Sequence, residues 1–510
     1  LLSLAAAAGA AQGRPPAATV RAEAPVTIVQ SQEVRTSGVL DLGQIAVDPA
    51  RAAETLLLLD SLEAQSPPDS AQRAHFRGMR ATLLAAMSRR AESGAIIDEI
   101  AAGRFDDLSV YDQSLRAAMI LQDARRAVAL IEAAARNIGS SRPEQIQALS
   151  TELVFDIVGK LDRQNDQEAL TRFYQALVSV DWPGDGDPSL RDAIRISLID
   201  VRLERGDRAG AAALASRITA PARVLRLIAL KRYDGLFPAG ADRQALVRSL
   251  FEETDRATAA GLAAHPGDVR TILNRVEFLQ SLGRDEEALA LLQPYLGDVA
   301  ATANINPMGM WLIEYGAYAL LARGRGDEAV ALFARLAELP VPDQPALPGP
   351  LVNHTTFLWQ AGRYAEALAR AQLLAREEDA RLDDQGRASL WSAMACALAG
   401  LNRTAEARPW LERMEAIRDS SPMQLMRAYL CIGDLAAAEA FALHRLASSN
   451  AESAVMGLQD WQRPEAPGEP AASIEARFAE LRRRPAVAGA LARTGHLLVL
   501  PANRTYWGGF

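Results

Sequence analysis

From Pro49 onward the apolar residues recur at i, i+3, i+4 and i+7, the spacing of a helix with one buried face. The pattern continues segment after segment with short breaks, and no convincing stretch alternates as a half-buried strand would. Asp48 followed by Pro49 supplies a capping carboxylate and a first-turn proline, which predicts a helix start there. Residues 12–48 are rich in Pro, Ala, Val and Thr without helical period, and read as an extended lead-in. The pattern as a whole predicts an all-α protein.

The breaks repeat. Gly283-Arg284-Asp285-Glu286-Glu287-Ala288, Gly324-Arg325-Gly326-Asp327-Glu328-Ala329 and Gly362-Arg363-Tyr364-Ala365-Glu366-Ala367 each place Ala five residues after Gly. Weaker copies start at Gly206, Asn402 and Gly433, and degenerate ones at Gln122, Gln164, Gly240 and Arg89 (with Gly94 at the Ala position). Glycine fits the left-handed residue that ends the first helix of a hairpin. Alanine fits the point where the second helix crosses the first, because packed axes lie only ~8–10 Å apart. Acidic residues before that Ala suit the positive end of the new helix. One such hairpin cannot bury its apolar face alone, so copies must stack.

The G-x-x-x-x-A turn resembles that of the tetratricopeptide repeat (TPR) family, with Trp391 at the family's first-helix aromatic position and Phe173 and Phe333 at its bulky second-helix position. The resemblance implies a right-handed α-solenoid of about ten stacked hairpins over residues 49–460, followed by capping helices and a tail over 461–510. It departs from the family in step length and in Leu336 and Met414, where a small residue is usual. In the family the first helices line the inner, concave face. Carried over by offset from each turn, the implied inner-face residues are Arg270, Glu277, Gln280, Trp311, Glu314, Tyr318, Thr356, Trp359, Gln360, Ser389, Ser392 and Arg427. Aromatic side chains and Arg beside polar groups are the composition of binding hot spots; the competing reading packs Trp311 and Trp359 between repeats.

Interruptions fall at the turn cluster Asp181–Pro188, at Leu339–Pro350 with five prolines, read as a long loop, and at Gln462–Pro470, read as the end of the solenoid. Arg482-Arg483-Arg484-Pro485 reads as a break between C-terminal helices.

Composition narrows the function. A net charge of −8 and 5% aromatics argue against broad nucleic-acid binding and against an aromatic-rich β core. Leu1–Ala11, LLSLAAAAGAA, is apolar, ends in small residues and is too short to span a bilayer, so it reads as a signal-peptide remnant of a bacterial periplasmic or secreted protein. No other apolar run is long enough to cross a membrane. The five histidines show no metal-ligand spacing, and no nucleophile elbow, phosphate loop or dinucleotide fingerprint is present. No metal or cofactor is therefore expected. Cys396 and Cys431 lie six and two residues before successive turns, an offset of about one helical turn, and two buried thiols are expected rather than a bridge, although export would permit one. These features predict a non-catalytic scaffold that binds an envelope protein. The alternatives are a carbohydrate-binding or polysaccharide-export accessory and, further off, an enzyme with an acidic pair in the groove.

Overall fold

The computed structural model describes residues 48–503, apart from 185–187, 306–307, 340–347, 378–381, 449–450 and 463–468. The signal-like stretch, nearly all of the lead-in, most of the proline-rich loop and the tail 504–510 lie outside the described residues. The described chain forms two compact units, one ending at Arg223 and the other beginning at Val224.

The N-terminal unit holds α1 (Pro49–Gln65), α2 (Ala71–Ala86), α3 (Arg90–Ala102), α4 (Leu108–Ile120), α5 (Ala124–Asn137), α6 (Pro143–Gln147), α7 (Thr151–Arg163), α8 (Gln167–Ser179), α9 (Pro188–Glu204) and α10 (Arg208–Ala215), and ends within α11 (Pro221–Ala229). The C-terminal unit continues with α12 (Arg243–Ala264), α13 (Val269–Ser281), α14 (Asp285–Leu296), α15 (Val299–Ala303), α16 (Gly309–Ala322), α17 (Gly326–Ala337), α18 (Pro348–Gln360) and α19 (Tyr364–Glu377). It then adds α20 (Asp384–Gly400), α21 (Arg408–Ala416), α22 (Pro422–Ile432), α23 (Leu435–Ala447), α24 (Ala451–Gly457), β1 (Asp460–Gln462), α25 (Glu469–Arg483), α26 (Pro485–Thr494) and β2 (Val499–Asn503). Each unit is a right-handed stack of helical hairpins, the architecture of an all-α solenoid.

The local chemistry is repetitive. Asp48 caps α1 by accepting from the Ala50 N–H at 3.0 Å, as its place before Pro49 predicts. Hairpin turns carry one left-handed residue each: Ser88, Gln122, Asn165, Gly206, Gly283, Gly324, Gly362, Asn402 and Gly433, with φ between 53° and 79°. The following N–H donates to the carbonyl five residues back, as in Arg284 to Leu279 (2.9 Å) and Arg363 to Leu358 (2.8 Å), so the carbonyls left over at the helix end are bonded. Ala127, Ala211, Ala288, Ala329, Ala367, Ala407 and Ala438 are all fully buried at the crossings.

Three of the expected turns shift. The left-handed residue is Ser88, not Arg89, and Ser93 takes the buried crossing position, its Oγ donating to the Ala81 carbonyl at 2.8 Å. Asn165 rather than Gln164 makes the next turn, with buried Ala169 four residues on. Gly240 is left-handed but leads from a 3-10 turn (Lys231–Leu236) into α12, and Ala245 is only half-buried. Pro348 and Pro350 lie in the opening of α18 rather than in the loop, because a first-turn proline lacks only an N–H that has no helical partner.

Two short strands accompany the helices of this all-α chain. β1 and β2 pair in parallel over too few residues for alternation to register in the sequence. They belong to a closure of the C-terminal unit on itself, in which its last elements return to its first. Gly495 bridges Leu230, the His496 Nε2 stands 2.7 Å from Asp234 Oδ1, and the Gln244 side chain bonds both the N–H (3.1 Å) and the carbonyl (2.7 Å) of Val499. Arg226 pairs with Glu452 at 2.9 Å, and Lys231 donates to the Ala492 carbonyl at the end of α26.

Candidate functional site

α13, α16, α18, α20 and α22 are the first helices of the hairpins of the C-terminal unit, the ones the repeat resemblance expects on the inner face. Arg427 on α22 lies within electrostatic reach of Tyr318 on α16, and α25 touches α18.

All the residues expected on this face fall on those five helices, at different depths. Arg270 is exposed; Glu277, Trp311, Tyr318, Thr356, Gln360, Ser389 and Arg427 are half-buried; Gln280, Glu314, Trp359 and Ser392 are buried. Several join successive first helices. Gln280 Nε2 donates to the Tyr315 carbonyl (2.7 Å), Asn353 Nδ2 to Glu314 Oε2 (3.1 Å), and Gln424 Nε2 to Ser389 Oγ (3.3 Å). Asn353 and Gln424 were not singled out from sequence; both face a residue that was, one repeat away.

The electrostatics follow from burial. Glu314, 3% exposed and met by one neutral amide, is pushed up to about 8 by loss of water, which the Asn353 hydrogen bond only partly offsets. Tyr318 and Tyr315 are raised for the same reason, with the nearby Glu314 carboxylate adding to it. Burial lowers Arg427, with Tyr318 acting in the opposite sense. Ser392 Oγ, Trp359 Nε1, Gln280 Oε1 and Gln360 Oε1 are buried without a partner among the described residues.

Cys396 and Cys431 form a disulfide, contrary to the expectation of two thiols. Their Cα atoms are 5.0 Å apart, within the ~4.4–6.8 Å that a bridge needs. The stagger between α20 and α22 takes up the one-turn offset that argued against it. Cys396 stands six residues before its turn, the position that Glu277, Tyr318, Thr356 and Arg427 occupy in theirs. Arg477 of α25 donates to the carbonyls of Leu430 and Cys431 (2.8 Å to the latter), tying the C-terminal helix to the end of α22.

Among the described residues no group of three or more His, Cys, Asp or Glu side chains could hold a metal ion, and no helix is long and apolar enough to cross a membrane. No family model matches the chain, and no curated protein matches it. Solved structures similar to it include the APC/C hetero-tetramer Cut9–Hcn1 (14% identity, 88% of each chain, TM-score 0.28) and Naa15/Naa10 bound to HypK-THB (12%, 88% of this chain and 74% of that one, TM-score 0.21). A human IFIT1 dimer with m7Gppp-AAAA is similar at 11% identity over 86% of this chain and 96% of that one, with a TM-score of 0.25. Likeness at this level carries nothing about function. The chain's own hairpins make it a TPR-like helical repeat.

Proposed function

We propose that this protein is a non-catalytic scaffold that receives a segment of a partner protein against the inner face of its C-terminal unit. The observation that supports the reading is the set of side chains left half-buried on these first helices: Glu277, Trp311, Tyr318, Thr356, Gln360, Ser389 and Arg427. Among them Tyr318 and Trp311 are rigid aromatic side chains of the kind that anchor interfaces. Arg427 suits an acidic group of the partner. The signal-like Leu1–Ala11 stretch and the Cys396–Cys431 bridge both fit an oxidising compartment, the bacterial envelope or the outside of the cell.

Affinity capture from cells of the source organism, run in parallel with native protein and Arg427→Glu, tests this. The native protein should recover a defined envelope protein that Arg427→Glu loses by tenfold or more at an unchanged melting temperature. Equal recovery by both, or recovery of glycan in place of protein, would overturn the reading.

A further inference from the structure

The N-terminal unit contains a cleft of about 350 Å³ between α8, α9 and α10, lined by Gln175, Val178, Ser179, Leu198, Arg202, Gly210, Ala213, Leu214 and Arg217. Its origin is a short second helix. α10 has 8 residues where α5, α8, α14 and α17 have 14, 13, 12 and 12, and the Gln175, Val178 and Ser179 stripe near the end of α8 is left without a full-length neighbour. One stripe of each helix faces the opening: Gln175, Val178 and Ser179; Leu198 and Arg202; Gly210, Ala213 and Leu214. Leu198 and Leu214 form a buried apolar floor. The lining holds two guanidiniums and no carboxylate. Arg202 is held only by a 3.4 Å contact to Asp207, a pair exposed on both sides and so strongly screened. Arg217 bonds Asp181 Oδ1 at 2.8 Å, an oxygen that also takes Arg195, whose other partner is Asp192 Oδ1 at 2.7 Å.

We propose that this cleft binds a small amphipathic anion, an unbranched aliphatic carboxylate, with its chain on the Leu198–Leu214 floor and its head between Arg202 and Arg217. The volume lies at the lower end of the ~300–1,000 Å³ usual for small-molecule sites. Apolar walls with a few convergent polar groups are the composition such sites share. The site is separate from the inner face of the C-terminal unit and does not depend on what that face binds.

Calorimetric titration of the full chain with decanoate tests it, with decanol supplying the chain without the charge and acetate the charge without the chain. Decanoate should bind saturably at one per chain, decanol at least tenfold more weakly, and acetate not measurably. Arg202→Gln should weaken decanoate about tenfold and leave decanol unchanged, while Ala213→Trp, at an exposed position that keeps the fold, should abolish both. Absence of saturable decanoate binding at millimolar concentration, or binding indifferent to Ala213→Trp, would overturn the assignment.

Discussion

Gly324 has φ 74° and no atom within 4 Å of the place where a β-carbon would stand, so an alanine there meets backbone strain and no clash. Gly324→Ala should therefore cost about 1–2 kcal/mol. Ala329→Leu, five residues on at a fully buried crossing, should cost about 1–3 kcal/mol by overpacking, and chemical denaturation of the two variants separates strain from crowding. These two residue types made the repeat legible. The shifted turns were harder to place because Ser88 and Asn165 bear side chains that tolerate the left-handed region without announcing it. A second regularity escaped because it links unlike residues. After the turn, either an Asp caps the new helix, as Asp434 does by accepting from the Ala437 N–H at 2.9 Å, or an Arg forks onto a Glu three residues later, as in Arg89–Glu92, Arg284–Glu287, Arg325–Glu328, Arg363–Glu366 and Arg403–Glu406. Glu314 makes a pH prediction at the same scale. Its folded value of about 8 lies above the ~4.3 of an unfolded chain, so the fold binds the extra proton and stability falls as pH rises from about 4.3 to 8. His354, held down to about 4 by burial, acts oppositely, losing stability as pH falls below ~6.5. Glu314→Gln should isolate the first effect: the melting temperature of the native protein should drop by several degrees more between pH 5 and 8 than that of the variant.

At the scale of elements, the Cys396–Cys431 bridge fastens α20 to α22 across 35 residues. Loop-closure arithmetic puts its contribution at about 3–4 kcal/mol, so Cys396→Ser with Cys431→Ser, or a reducing agent on the native protein, should lower the melting temperature by several degrees. No change on reduction would mean that the packing of α20 on α22 already supplies the constraint. Helix existence was legible throughout, since Asp48–Pro49 and the Arg484–Pro485 break mark boundaries by chemistry that needs no tertiary context. The pairing of the two cysteines was not, because stagger between first helices is set by packing that a single repeat does not encode. The position of α18 was half-legible: its prolines were visible, but whether they lie before the helix or in its first turn depends on what the helix packs against.

At the scale of the molecule, the return of β2 and α26 to Leu230, Asp234 and Gln244 joins residues more than 250 positions apart, and nothing in the repeat pattern foretells it. Gly495 is the tightest point of this closure, since a β-carbon there would stand 2.6 Å from Val455 Cγ1 and 2.9 Å from the Ala229 carbonyl. Gly495→Val should open it, and hydrogen exchange over residues 226–250 should quicken while the hairpin helices around Gly324 stay protected; unchanged exchange at 226–250 would show the closure to be incidental. The first helices that carry the expected inner-face residues were legible from the repeat, whereas the depth of each side chain emerged only from the packed structure. The recognition role of that face is the central claim. The direct measurement is photo-cross-linking in living cells with a photo-reactive phenylalanine at Trp311, compared with one at the exposed Ala290 on the second helix α14. The account predicts a single discrete protein adduct from position 311 and none from position 290. Adducts from position 290 alone, or the same adducts from both, would contradict it.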